Sequence, residues 1–525
     1  MRRWMKKSFA WITASVMLLS LPAFASAASD LGWASDPKLY EIRTLAGKTE
    51  WGSANGQAGA ATFFHPRSVA VMPDGKVMIA DHSNHLIRVL SADQVETYSG
   101  LTLGEDEAGL PIGAFNDADR SLAAYELPAG ITADLRGNIY VADAGNHAIR
   151  KITPAGRVTT LAGNGVIGSA DGIGSEASFY YPSDVAVDVR GNVYVADTLN
   201  HVIRKISPDG QVVTLTAPST RVVEYYPGAV APAGDFRDGP IAEAKFNEPS
   251  GLAIDAKGNL YVSDRGNQRI RYIDFAAGQV TTVAGGGTYG PQAVYVEGDY
   301  VDGPASQARF NAPEGLYVLA DGSVLVADSL NHAIRMIKDG QVTTVAGVGT
   351  EPGNADGVAH YAQFHHPTDV AVLPDGRLIV ADEYGNKIRV LQKYARPAVL
   401  PQEGIPVILN GELVQSDVPA QIRYDYTYLP LRAVSEALGY EVSYNEGASE
   451  AVLTKGGVVI TVQNGSMTVT RTEGGVTTTA EMNAAAFIDR NRMFLPVRFF
   501  AEQNDLDIQW DNEDRVVIIR NKTFQ

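Results

Sequence analysis

Across residues 179–216 hydrophobic and polar positions alternate in short runs broken by turns. Phe179 and Pro182 precede the run Val185-Ala186-Val187, and Arg190-Gly191-Asn192 turns the chain, with Gly191 supplying the positive φ that a tight turn requires. Val193-Tyr194-Val195 runs into Ala196-Asp197, residues 198–201 turn again, and Val202–Ile206 follows. Pro208-Asp209-Gly210 makes a last turn before Val212–Leu215. The pattern predicts four short antiparallel strands, the composition of one propeller blade.

The unit recurs. Ala-Asp-x-x-Asn-His-x-Ile-Arg, or a close variant, places its Asp at Asp81, Asp143, Asp197, Asp264, Asp328 and Asp382. A unit that returns six times is an architecture, because no single copy buries its own apolar face. An acid or amide also stands eleven positions before each strand-opening proline: Asn55 and Pro66, Asp117 and Pro128, Asp171 and Pro182, Asp238 and Pro249, Asp302 and Pro313, Asp356 and Pro367. The sixth unit departs into Tyr394-Ala395-Arg396-Pro397 before a fourth strand can form. The missing strand is expected at the N-terminus, where Ile42–Gly47 matches Val158–Gly163 of the second unit. Pairing of first and last segments closes a ring and removes exposed sheet edges.

Through these residues, and Asn84-His85-Leu86 in particular, residues 38–395 resemble the NHL-repeat family. The resemblance implies a mainly β fold: a six-bladed NHL-type β-propeller closed by its N-terminal strand. Gln268 stands in place of His in the fourth unit, and Gly385-Asn386 replaces Asn-His in the sixth; both read as drift.

Six copies of a polar residue point to scaffold. Each repeated Asp is expected to cap the turn after the second strand, with the following Asn stabilising that turn. The Arg seven positions later is expected to pair with a carboxylate of its own or the neighbouring blade. His85, His147, His201 and His332 read as scaffold too, since they cannot converge on one site. Chemistry belongs to the departures around the prolines, at the mouth of the central channel. These include Arg67, Asp184, Glu248, Glu314 and Asp369. Ring closure would bring His65 near His365 and His366 and set Asp184 across the channel from Asp369. Such a His and carboxylate set suits a divalent metal, and lyases and lactonase-like enzymes on related propellers hold metals in that region. The alternative is a polar, water-filled mouth with no cofactor.

Three linkers are long, at residues 101–116, 217–237 and 286–301, and should project from one face. They carry Tyr225, Tyr226, Tyr289, Tyr295 and Tyr300. Tyr-rich loops on a rigid scaffold suit recognition of a sugar or peptide; alternatively these rings pin the loops to the propeller.

Charge and composition narrow the partners. Residues 1–27 combine Arg2, Arg3, Lys6 and Lys7 with an apolar run and Ala25-Ser26-Ala27, the pattern of a cleaved secretory signal. Their removal takes the net charge of the 525-residue chain from −17 to −21. That surface argues against nucleic acid and anionic lipid as partners, and no other stretch predicts a membrane insertion. The chain has no cysteine, which excludes disulfides, thiol nucleophiles and thiolate metal sites.

After a linker at residues 396–403 the repeat stops, and residues 404–525 contain a duplication of their own. Tyr428-Leu429-Pro430-Leu431-Arg432 matches Phe494-Leu495-Pro496-Val497-Arg498. Each half predicts a strand, a proline opening a short helix, and two further strands; Gly439 is suited to end the first helix in the left-handed region, and Asn504 or Asp505, less strongly, the second. This small α+β segment resembles the copper amine oxidase N-terminal-like, or stalk, domain, frequent in exported proteins of Gram-positive bacteria. No histidine occurs beyond residue 366, so an imidazole copper site cannot form in it. Two functions are expected to compete. One is a secreted or cell-wall-associated binding protein whose loop face takes a protein, a peptide or a cell-wall glycan, with the stalk as envelope-proximal spacer. The other is a metal-dependent lyase or lactonase-like enzyme at the channel mouth. No serine nucleophile elbow or His-Glu-x-x-His motif is present.

Overall fold

The computed structural model describes residues 37–226, 228–401 and 403–524; the signal-like segment 1–27 lies outside the described residues. The protein is mainly β. Each of six sheets begins with an inner strand that opens on the repeated proline: Pro66–Val71, Pro128–Ala133, Pro182–Val187, Pro249–Ile254, Pro313–Val318 and Pro367–Val372. A proline lacks the ladder N–H, so it is tolerated only at such a first position. It pairs with the repeated Asp that ends the second strand, as in Pro66↔Asp81 and Pro367↔Asp382. Every inner strand packs against the next, and the sixth packs against the first. The sheet of blade six takes its outer strand from Tyr40–Gly47, which pairs antiparallel with Lys387–Lys393. The core lies between sheets, where alternate Val, Ile and Leu side chains of one blade meet those of its neighbour.

The repeated polar residues build a clasp inside each blade. Asp197 is fully buried; its Oδ1 accepts the Tyr180 N–H at 2.8 Å, and its Oδ2 accepts Asn200 Nδ2 and Arg204 Nη1, both at 2.8 Å. Arg204 Nη2 continues to Asp171 Oδ1 at 2.7 Å, and Asp171 Oδ2 receives the Thr214 N–H of the outer strand. Phe179 lies under the guanidinium, 5.1 Å from its carbon. The same Asp–Arg pair recurs in all six blades. The expected turn-capping role is therefore corrected: Asp197 makes no side-chain cap to the turn that follows it, and holds the N–H of a linker residue seventeen positions upstream. A short turn saturates its own backbone groups, whereas the linker N–H needs a buried acceptor. The acid eleven residues before each proline acquires a purpose as the second partner of the arginine.

The C-terminal segment has its own core, centred on Leu429, Leu495, Val434, Phe500 and Ile519. Its duplicated strands pair with each other: Tyr426–Pro430 runs antiparallel to Arg492–Pro496 with Leu429↔Leu495 at the centre, a local two-fold. Pro430 and Pro496 sit at the N-caps, one position before the helices Leu431–Ala437 and Val497–Asn504. Gly439 and Asp505 do adopt the left-handed conformation. This domain is not held by its linker alone. Its strand Thr523–Phe524 pairs with Asp356–Val358 and so enters the sheet of blade six. Beside it, buried Arg520 donates to Asp507 Oδ2 and to the Lys38 carbonyl, both at 2.6 Å, and Tyr394 donates to Asp511 at 3.0 Å.

Candidate functional site: the propeller mouth

One further repeated position shapes the mouth. The residue at the His of the repeat ends a short turn in the left-handed region and reaches to the next blade. His85 Nδ1 accepts the Leu127 N–H at 3.0 Å, His147 that of Tyr181, His201 that of Glu248, and His332 that of His366. Gln268 does the same through Oε1 to Ala312, and Asn386 through Oδ1 to His65 across the junction of blades six and one. The departures read as drift are thus functional equivalents, because any side-chain acceptor of suitable reach serves. An accepting Nδ1 makes the ring the neutral Nε2–H tautomer, and burial accordingly lowers the pKa of His85, His147, His201 and His332, the last to about 4.

Each latch grips the residue just before an inner-strand proline, and all six of these residues have positive φ: His65, Leu127, Tyr181, Glu248, Ala312 and His366, between 49° and 65°. Backbone strain of this kind in a non-Gly residue persists only where the surroundings enforce it, and it gathers at functional sites. Six equivalent positions therefore point side chains of five kinds around one opening.

Their chemistry is uneven. Arg67 Nη2 reaches Glu314 Oε2 at 3.1 Å; Arg265 binds Glu248 Oε2 at 2.9 Å and Glu314 Oε1 at 3.2 Å; Tyr295 donates to Glu248 Oε1 at 2.7 Å. His366 Nδ1 lies 2.8 Å from Glu383 Oε2. Burial works against the Glu383 charge, yet the His366 hydrogen bond and Arg67 hold its pKa down, at about 2. Burial disfavours the Arg67 charge too, but Glu314 and Glu383 outweigh it and raise its pKa. Blades two and three contribute no charge to this lattice: their equivalent residues include Leu127, Ala129, Ala144, Ser183 and Thr198. Above the charged half stands half-exposed Tyr384, stacked on His366 at 4.7 Å and edge-on to His65 and His365 at 5.0 and 5.5 Å. Phe64 continues the aromatic ridge from His65 to exposed Trp51.

The ion pairs line the charged half of the mouth. Beneath them the cavity lined by Arg67, Asp184, Glu314 and Asp369 measures about 20 Å³, room for roughly one water. Asp184 and Asp369 do face each other's charge, but each is half-buried and accepts from the next blade's inner strand: Asp184 Oδ2 from Leu252 N–H at 2.7 Å, Asp369 Oδ2 from Ser68 Oγ and Val69 N–H. Burial raises both, Asp369 to about 6. The far end of the channel is a well of about 520 Å³ whose lining joins Val71, Val187, Ile254 and Val318 to Asp184 and Asp369.

The three histidines proposed for a metal do gather, but around the Tyr384 ring. Nδ1 of His366 is taken by Glu383 and Nδ1 of His65 by Ser83 at 3.0 Å. Among the described residues no group of three or more His, Asp and Glu is placed to hold an ion. Of the loop tyrosines, Tyr289 lies under Arg221, which also grips the carbonyls of Ala293 and Val294, and Tyr300 bonds Thr344 beneath Arg335. These two pin linkers to the frame, while Tyr295 reaches the mouth. Tyr225 and Tyr226 fall in the strand Val222–Tyr226, and their side chains lie outside the described residues. Sequence reasoning missed Arg265, Glu383 and Tyr384. The signal was present one position after the repeated Asp, where His82, Ala144, Thr198, Arg265, Ser329 and Glu383 differ in every blade.

Comparison with known proteins agrees with this architecture. The NHL repeat profile matches residues 179–206, 246–271 and 364–391, and the copper amine oxidase N-terminal domain profile matches residues 408–519. The chain thus carries NHL repeats followed by a copper amine oxidase N-terminal domain. It is 31% identical over 296 residues to "Protein SUPPRESSOR OF QUENCHING 1, chloroplastic" of Arabidopsis thaliana, an alignment covering 54% of this chain and 26% of that protein. It is 29% identical over 322 residues to human "NHL repeat-containing protein 2", covering 57% of this chain and 42% of that one. The chain spans less than half the length of either relative. A solved auxiliary nutrient binding protein from Bacteroides ovatus superposes with a TM-score of 0.47 at 17% identity, covering 67% of this chain and 76% of that one.

Proposed function

We propose that this is a secreted or cell-surface binding protein. The long-linker face of the propeller recognises a protein, a peptide or a cell-wall glycan, and the copper amine oxidase N-terminal domain positions that face at the envelope. One observation carries the reading: paired charges line the mouth and the cavity beneath them measures about 20 Å³, which favours a ligand held at the surface over one in a deep pocket. On that surface half-exposed Tyr384 and Tyr295, with Trp51 beyond them, offer ring faces beside fixed polar groups, the combination that grips sugars and peptides. No helix among the described residues is long and apolar enough to cross a membrane.

The test is a screen of the purified full chain against glycans, peptidoglycan fragments and peptides, repeated with Tyr384→Ala and Tyr295→Ala. The expected result is a ligand whose affinity falls by about tenfold or more in the variants. The lyase or lactonase reading makes the opposite forecast. A stoichiometric metal lost from His65→Ala and His366→Ala, together with turnover of a lactone, would overturn the binding assignment.

A further inference from the structure

Linker 101–116 folds back on itself as a raised hairpin. Glu105 bridges to Pro111; the Asp106 N–H donates to the Leu110 carbonyl at 2.8 Å and the Ile112 N–H to that of Gly104 at 3.0 Å. Asp106 Oδ1 accepts the N–H groups of Ala108 and Leu110, closing the tip. The base is anchored: His85 Nε2, the protonated nitrogen of the latch tautomer, meets the Pro111 carbonyl at 3.0 Å, and Asn146 donates to the Ala114 carbonyl at 2.8 Å.

This ordered hairpin exposes the side chains a folded chain normally hides. Leu101, Leu103, Leu110, Ile112 and Phe115 are each at least 40% exposed. A Cβ at Gly165 would lie 3.3 Å from the Phe115 ring, so the neighbouring linker, with exposed Val166 and Ile167, adjoins the same patch. A contiguous exposed apolar patch on a rigid support marks an interaction surface. Its tip adds Glu105, Asp106 and Glu107, all exposed.

We propose that this patch docks a basic amphipathic polypeptide, whose apolar side chains cover Leu103, Leu110 and Ile112 while its Lys or Arg side chains meet the acidic tip. Charge selects that occupant. A second copy of this chain would bring its own net −17 and the same acids against them, and an anionic membrane is repelled likewise. A neutral glycan has no apolar side chains to cover the leucines. The inference rests on the reading of the long-linker face as the binding face, and it names a different sector of that face, built by linker 101–116.

The experiment measures binding of the full chain to three synthetic peptides of equal length: Leu/Lys amphipathic, Ser/Lys and Leu/Glu. The Leu/Lys peptide should bind, with the other two at least about tenfold weaker. Leu103→Ser with Ile112→Ser, both exposed and so compatible with folding, should weaken it about tenfold or more; Glu105→Gln with Glu107→Gln should weaken it less and flatten its salt dependence. Val189→Ser, an exposed change outside the hairpin and the mouth, should leave it unchanged. Equal binding of the Ser/Lys peptide, no loss in Leu103→Ser/Ile112→Ser, dimerisation of the chain through this hairpin, or preferential binding to phosphatidylglycerol vesicles would each overturn the proposal. If the hairpin variants are silent while the glycan or peptide screen still finds a Tyr384-dependent ligand, the docking inference alone fails. If both are silent, the binding face itself is wrongly assigned.

Discussion

The clasp and the mouth are both six-fold, yet they differ in what their equivalent positions hold. At the clasp the same buried Asp and Arg occur in every blade, with only Asn55 replacing an acid in the outer position. At the mouth, positions with the same strained φ and the same latch carry His, Leu, Tyr, Glu, Ala and His. A clasp satisfies a requirement internal to one blade, and each blade has that requirement. A mouth position is presented by the frame to whatever lies outside, so nothing in the frame dictates its side chain. Identity across the repeat therefore reports scaffold, and constant backbone with changing side chain reports the site.

The contrast can be broken most severely at the clasp. Arg204→Leu leaves Asp197 buried without its cation, and urea denaturation should show a loss of about 3–5 kcal/mol. At the domain junction, Arg520→Met removes the partner of Asp507 and the donor to Lys38. It should cost about 2–4 kcal/mol and split a single calorimetric transition into two, the propeller melting apart from the C-terminal domain.

The latch offers a pH-dependent version. His332 accepts only when neutral, and burial with neighbouring His366 and His365 lowers it to about 4 from the ordinary 6.5. Its contribution is thus present above pH 6.5 and is lost as pH falls toward 4. His332→Gln copies the acceptor already used by Gln268. It should match the parent at pH 7.5 and exceed it at pH 5 by about 1 kcal/mol, given the half-exposed ring. At the mouth, Tyr384→Ala should cost under about 1 kcal/mol and act on ligand affinity alone. A loss at Tyr384 rivalling that at Arg204 would erase the distinction between frame and site.

How much of this was legible follows from the range of each interaction. Strands such as Val193–Asp197 are local, and period-two alternation with Gly191 in the turn announces them. The strand Tyr40–Gly47 was legible because it repeats a pattern seen elsewhere in the chain. Asp197 was misread because its true partner, the Tyr180 N–H, lies seventeen residues upstream, where local turn chemistry does not look. Gln268 and Asn386 were misread because an acceptor was required there, not an imidazole. Glu383 and Arg265 went unnoticed because they follow the repeated Asp, and attention to the repeat conceals its neighbours. Strand Thr523–Phe524 joining Asp356–Val358 had no sequence signal, since two residues carry no periodicity.

That last pairing bears on synthesis. The sheet of blade six gathers residues 40–47, 356–358, 387–393 and 523–524, so it cannot be completed until residue 524 has emerged from the ribosome. The four strands of every blade, the closing pair Tyr40–Gly47 and Lys387–Lys393 included, are available once residue 393 is made, and only this added edge strand must wait. A chaperone, or slow elongation through the C-terminal domain, would act on that interval.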